Sequence, residues 1–246
     1  MDLVFFLTGA LGFGPAILIM WYALRKYSYP FTEKTFFDDR KAFGLMAGGM
    51  MVGAVLAIIE SFLYPSFKGE NFYIDLFVLL YVFMFPVAEA LGKVAILNFP
   101  WIRKRFDNVF YGASFGAGFS AVWVMQGAYL ALTSPGLIAS ASWLFAVLAW
   151  SFALALMHVS TGAIVGASCA KGMVWTGFAK AFGLHALLNL LMAPFFLTGE
   201  LWFSAPLMLA LSILVFYDTH RTTVPGSLPV ELQRELRRSA RRGDGA

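Results

Sequence analysis

One cysteine, Cys169, in 246 residues excludes an intramolecular disulfide and with it the small stapled scaffolds. Charge is scarce as well. Asp, Glu, Lys and Arg make up 13% of the chain, about half the share of an ordinary soluble domain. With 60% hydrophobic residues and a mean hydropathy of +0.74, too little polar surface is left to cover a water-soluble core. A low-complexity linker and a second, polar domain are also missing from the pattern. The composition describes a chain solvated by a bilayer. Its first apolar segment follows Met1 and Asp2 without a basic n-region and is longer than a signal-peptide core, so it reads as a retained span.

What is present is a series of apolar runs near the ~20 residues needed to cross hydrocarbon. They predict spans at 3–24, 42–63, 72–97, 109–132, 143–168, 177–197 and 201–217. The expected fold class is therefore all-α, a polytopic membrane bundle of about seven transmembrane helices. Residues 1–217 form one membrane domain and 218–246 a basic tail. The last run is short for a span, so it begins before Leu201 or lies in a locally thinned bilayer.

Basic residues set the orientation. Arg25, Lys26, Lys34, Arg40 and Lys41 fall in the first loop, Arg103, Lys104 and Arg105 in the third and Lys171 in the fifth, whereas the alternate loops hold only Lys68. The positive-inside rule then places the odd loops and the C-terminus in the cytoplasm and the N-terminus outside. Lys93 and Lys180 are read as snorkelling to the same inner interface. In the tail, Ser227 is placed to cap a short helix with an apolar stripe of Leu228, Leu232 and Leu236 amid Arg234, Arg237, Arg238, Arg241 and Arg242. Without aromatics or a nucleic-acid motif, that charge points to anionic lipid and not to nucleic acid. Cys169, at a helix end, reads as a packed small residue.

Ionisable groups inside spans are costly, so each needs a reason. Glu60 and Asp75 lie toward outer span ends and read as hydrated or in mutual helix contact. Glu89, His158 and His185 lie deeper, each roughly 12 to 15 Å from the inner boundary at ~1.5 Å per residue. Asn189 shares the helix face of His185 at i+4. Three helices thus offer a carboxylate and two imidazoles in one layer. That set suits a glutamate base holding water, with His185 and Asn189 donating to an oxyanion. Glu89, His158 and His185 also suit a metal such as zinc, and a structural hydrogen-bond network uses the same groups. Gly112 with Gly116 and Gly162 with Gly166 are small-xxx-small pairs that favour close helix approach, and His158 shares the face of the second pair. Pro86, one turn before Glu89, is positioned to kink its span.

Glu89-Ala90-Leu91-Gly92-Lys93 resembles the Glu-Glu-x-x-Lys motif of the PrsW-type intramembrane proteases, relatives of the type II CAAX prenyl proteases, with Ala90 replacing the second glutamate. Phe106-Asp107, Tyr111 to Ser114 and Gly118-Phe119 resemble the next motif, but Trp123-Val124 stand where the family carries Glu-Asn. His158 with Gly162 and Gly166 resembles the histidine-glycine element, and His185 to Asn189 the terminal His-x-x-x-Asn element. Phe13 to Ala16, the Gly112 to Gly116 segment and the basic tail also resemble the anterior-pharynx-defective subunit of γ-secretase, a non-catalytic seven-span scaffold. The resemblance implies a scaffold with an eroded site that holds a presenilin-like protease in the cell membrane. The alternative it implies is an active peptidase acting on membrane-protein substrates through Glu89, His158, His185 and Asn189, with no cofactor or with zinc.

Cysteines introduced into the first loop, the third loop and the tail are expected to react only with reagent supplied from the cytoplasmic side. Labelling of the tail from outside would overturn the orientation.

Overall fold

The computed structural model describes residues 3–63, 79–133, 141–198 and 201–243. All regular structure among them is helical. The long helices are α1 (Leu3–Leu24), α2 (Asp39–Leu63), α3 (Phe85–Leu97), α4 (Asn108–Thr133), α5 (Ala141–Ala170), α6 (Val174–Thr198), α7 (Leu201–Asp218) and α8 (Val230–Gly243). A π-helical turn, Leu80–Met84, leads into α3. Seven segments are long and apolar enough to cross a membrane, and the chain is an integral multi-pass membrane protein.

Apolar side chains on the outside agree with that solvent. Phe62, Phe145 and Leu214 are 76%, 65% and 67% exposed, a surface that water would penalise and lipid does not. The described spans begin and end close to the expected positions; the expected start of the third, at 72, lies outside the described residues, as does Asp75. Glu60 is half-buried on α2. The seventh span gains its length after its expected end: α7 continues through a π turn, Thr219–Thr223, and a short 3₁₀ turn, giving a crossing segment Leu201–Ser227.

At the centre stands α4, in contact with α1, α2 and α5. Every residue from Asn108 to Ala121 is buried, as expected of a helix enclosed on all sides. Its mean hydropathy of 1.3 is modest beside 2.2 for α1 and α2, because glycine, serine and alanine replace larger apolar residues. Those small residues set the helix spacing. A methyl group on Gly116 would overlap the His158 carbonyl, one on Gly112 the Gly162 carbonyl and one on Gly118 the Met46 carbonyl. The same holds in reverse for Gly12 of α1 against Ala121, Gly49 of α2 against Phe115 and Gly166 of α5 against Asn108. Between helices solvated by lipid, such backbone approach supplies the dispersion contacts that hold the bundle.

Loop contacts fix the ends. Asn108 Nδ2 donates to the Leu97 carbonyl at 2.9 Å, tying the end of α3 to the start of α4. Arg105 grips Asp107 through two hydrogen bonds of 2.9 and 2.7 Å; the Tyr111 hydroxyl also donates to Asp107 and accepts from the Asp38 amide. The helix expected in the tail is present but begins at Val230, so Leu228 precedes it in extended backbone and is not part of its stripe; Leu228 is buried, and Leu232 and Leu236 of the helix lie against the core. Ser227 is not its cap. Its hydroxyl donates to the Thr223 carbonyl, because residues 225–227 form a turn that closes back on the end of α7.

Gly116→Ala and Gly118→Ala are each expected to lower stability by about 1 to 3 kcal/mol through overpacking against a carbonyl that cannot move aside. Gly183→Ala, where a methyl group meets nothing within 4 Å, is expected to leave the melting temperature unchanged or slightly raised. Thermal unfolding of the three variants in one detergent checks this, and equal melting temperatures would refute it.

Candidate functional site

Three helices bring the site together. Glu89 and Lys93 lie one turn apart on α3, His158 and Thr161 one turn apart on α5, and His185 and Asn189 one turn apart on α6. All six side chains are buried, Lys93 and Thr161 completely. The position of α5 follows from the glycine contact above: the backbone of His158 rests on Gly116.

The imidazole of His185 is the hub. Its Nε2 lies 2.7 Å from Lys93 Nζ and 2.9 Å from Thr161 Oγ1. Lys93 also donates to Thr161 Oγ1 at 2.8 Å, and that hydroxyl donates to the Met157 carbonyl at 2.8 Å. With Lys93 protonated, an ammonium has only donors to offer, so Nε2 must accept and the ring proton resides on Nδ1. Nδ1 faces Glu89 Oε2 at 3.0 Å. Oε2 nevertheless has no hydrogen bond among the described residues, so the contact is electrostatic. The resulting order is carboxylate, imidazole, ammonium, hydroxyl. Opposite charges one turn apart on α3 are thereby bridged by a ring from α6.

His158 completes the group from the other side. Its Nε2 lies 3.9 Å from Glu89 Oε2, and its ring centre is 4.4 Å from that of His185. Phe119 of α4 stacks on His158 at 4.6 Å, Trp123 stacks on Phe119, and Lys93 Nζ lies 5.8 Å over the Phe119 ring, within cation–π range. Nδ1 of His158 is buried and makes no hydrogen bond among the described residues.

Asn189 is one turn along α6 from His185 and is engaged elsewhere. Phe85 donates to the Leu80 carbonyl in the π turn; in the same register residue 86 would donate to Tyr81, but Pro86 has no N–H. Asn189 Nδ2 donates to the Tyr81 carbonyl instead, at 2.9 Å. The irregular turn ahead of Glu89 is thus held by a side chain from the helix that carries His185. A π turn beside a buried acid is a frequent feature of functional sites.

One residue of this constellation, Thr161, escapes the sequence reading, and another, Lys93, enters it only as the lysine of the motif that begins at Glu89 and as an interfacial side chain. Lys93 does not snorkel; it turns inward and is 0% exposed, because His185 and Thr161 take hydrogen bonds from its ammonium and the Glu89 carboxyl lies one turn away on the same helix. The spacing Glu89 to Lys93, i to i+4, was the available signal. Thr161, at i+3 from His158, carried a weaker one, since threonine is common in spans where it bonds its own helix.

Glu89, His158 and His185 each offer a ligand atom within 4.8 Å of the others, close enough for one divalent ion. The donor chemistry does not fit it. Lys93 donating to Nε2 puts the proton of His185 on Nδ1, the atom that would have to bind metal, and His158 Nδ1 lacks the orienting partner that ligating histidines keep. Comparison with family models, curated proteins and solved structures returned no match.

Lys93→Met is expected to destabilise the protein by about 3 to 5 kcal/mol, because it leaves the Glu89 carboxylate buried without its compensating charge. Lys93→Met combined with Glu89→Gln is expected to recover most of that loss. Denaturation of the single and double variants reads the difference; equal losses would show that the two groups do not compensate each other.

Proposed function

We propose that this chain is a scaffold subunit for a partner membrane protease, related to the PrsW-type fold and nearest in kind to the anterior-pharynx-defective subunit of γ-secretase. The supporting observation is that the acid of the polar cluster is enclosed by groups that hold it in place: His185 and His158 face it, Lys93 neutralises it, and the stacked Phe119 and Trp123 cover His158. A general base needs its water or substrate within hydrogen-bond reach, and Glu89 is 3% exposed. Trp123 stands where the resembled family carries a carboxylate and Ala90 where it carries a second glutamate, so neither can act as acid, base or ligand. The cluster then serves to lock α3, α5 and α6 in register. The partner is a presenilin-like protease in the cell membrane, and α2 offers it Gly44 and Gly48, a small-xxx-small pair with open space beyond each glycine.

A second reading has one observation in its favour. Glu89 Oε2 and His158 Nδ1 are both buried without a hydrogen bond among the described residues, the kind of unsatisfied pair that an active site retains. In an active peptidase Glu89 is the base that takes a proton from water, and His158 and His185 stabilise the developing oxyanion. Asn189 then holds the π turn and does not touch substrate.

Purified wild type and Glu89→Gln distinguish the readings. The scaffold predicts that both retain a stoichiometric protease partner and that the isolated chain cleaves no membrane peptide, with Glu89→Gln the less stable of the two because its buried Lys93 ammonium loses the opposing charge. Gly44→Leu with Gly48→Leu is expected to lose that partner at an unchanged melting temperature. Turnover by the isolated wild type that disappears in Glu89→Gln would replace the scaffold by the peptidase.

A further inference from the structure

A groove of about 780 Å³ opens between α5, α6 and α7, at the end of the bundle that carries the Lys171 turn. It shares no residue with the Glu89 cluster. Its mouth is polar: Lys171 from the α5–α6 turn, Thr176 and Lys180 from the first turns of α6, and Thr222 and Thr223 from the π turn after α7. Asp218 is the only carboxylate among the lining residues, and the Thr222 hydroxyl lies 3.4 Å from its Oδ1. Farther in, the walls are Ile164, Leu184, Leu214 and Val215.

Three features define what such a groove takes. Lys171 and Lys180 are exposed, and neither ammonium has a hydrogen bond or ion pair among the described residues, so the mouth carries a net positive charge. Thr219, 3% exposed, also lines the groove, and its Oγ1 has no partner among the described residues. The turn is built rigidly: Gly172 at φ +75° ends α5, with Met173 N donating to Ser168 O at 2.8 Å and Gly172 N to Cys169 O at 3.1 Å. Lys171 is thereby fixed at the point where one span ends and the next begins, the level of lipid headgroups.

We propose that this groove binds one anionic phospholipid, its phosphate between Lys171 and Lys180 and an acyl chain along Leu184, Leu214 and Val215. Basic pockets between transmembrane helices at the interface recognise such headgroups. A zwitterionic lipid brings its own cation to the same mouth and is disfavoured by it. A free phosphate gains nothing from the apolar wall. Gly183 keeps the wall open, since nothing lies within 4 Å of where its side chain would point.

The full-length protein in neutral detergent can be titrated by native mass spectrometry with phosphatidylglycerol, phosphatidylcholine and glycerol 3-phosphate. One phosphatidylglycerol is expected to bind, about tenfold or more tighter than phosphatidylcholine, and glycerol 3-phosphate is expected not to displace it. Lys171→Gln with Lys180→Gln, and separately Gly183→Leu, should each weaken phosphatidylglycerol by about tenfold. Arg103→Gln with Lys104→Gln, exposed charges in another loop, should not. Unchanged affinity in the lysine variant, an equal loss in the arginine control, equal binding of phosphatidylcholine, or displacement by glycerol 3-phosphate would each overturn the proposal.

Discussion

Close backbone approach to a single central helix is the constraint on which the rest of this bundle depends. Lipid tails are as apolar as leucine, so burying leucine between spans gains little, and helices must associate through shape and polar contacts. Here the shape is supplied by glycine. Carbonyls from α2 and α5 rest against Gly118, Gly116 and Gly112 of α4, and Gly12 of α1 and Gly49 of α2 return the contact from the other side. The chemistry inherits its position from this packing. His158 faces Glu89 because its own carbonyl lies on Gly116, at the one distance that a hydrogen in place of a side chain allows.

The polar cluster solves a problem that the packing creates. Three helices meeting at close range leave no route for an acid and a base to reach water, and an unpaired charge at that depth is costly. Placing Glu89 and Lys93 on one helix, with the ring of His185 between them and Thr161 beyond, gives the ammonium two hydrogen-bond partners and the carboxylate an imidazole at 3.0 Å. What is satisfied supports a structural use. What is not, Oε2 of Glu89 and Nδ1 of His158, is where any chemistry would have to act. The same few atoms therefore separate a scaffold from a peptidase.

Hydropathy was sufficient to outline the spans, because lipid imposes a length and a polarity on each one independently of its neighbours. Depth along the helix also put Glu89, His158 and His185 in one layer, which rise per residue alone can do. Depth does not say which way a long side chain turns. Lys93 lies near enough to an interface to reach it, and only the presence of Thr161 and His185 at its level, a tertiary fact, turns it inward. Asn189 shows the same limit: its partner exists because Pro86 cannot donate within an irregular turn, and local periodicity carries no trace of a π register. The end of the seventh span was missed for a related reason, since Thr219–Thr223 continues the helix through residues that hydropathy scores as polar.

The enclosed position of α4 also bears on how such a protein enters its membrane. Its hydropathy and that of α6 are each 1.3, the lowest of the seven spans, whereas α1 and α2 reach 2.2. Two spans that precede α4 are thus the ones that partition into lipid most readily, and they present Gly12 and Gly49 to it. When α4 leaves the ribosome its two earlier neighbours are in place, but the face that will carry the backbone of α5 is still bare. Insertion and assembly are consequently one process for this helix: a span too weakly apolar to rely on lipid is retained by helices made before it and sealed by the one made after.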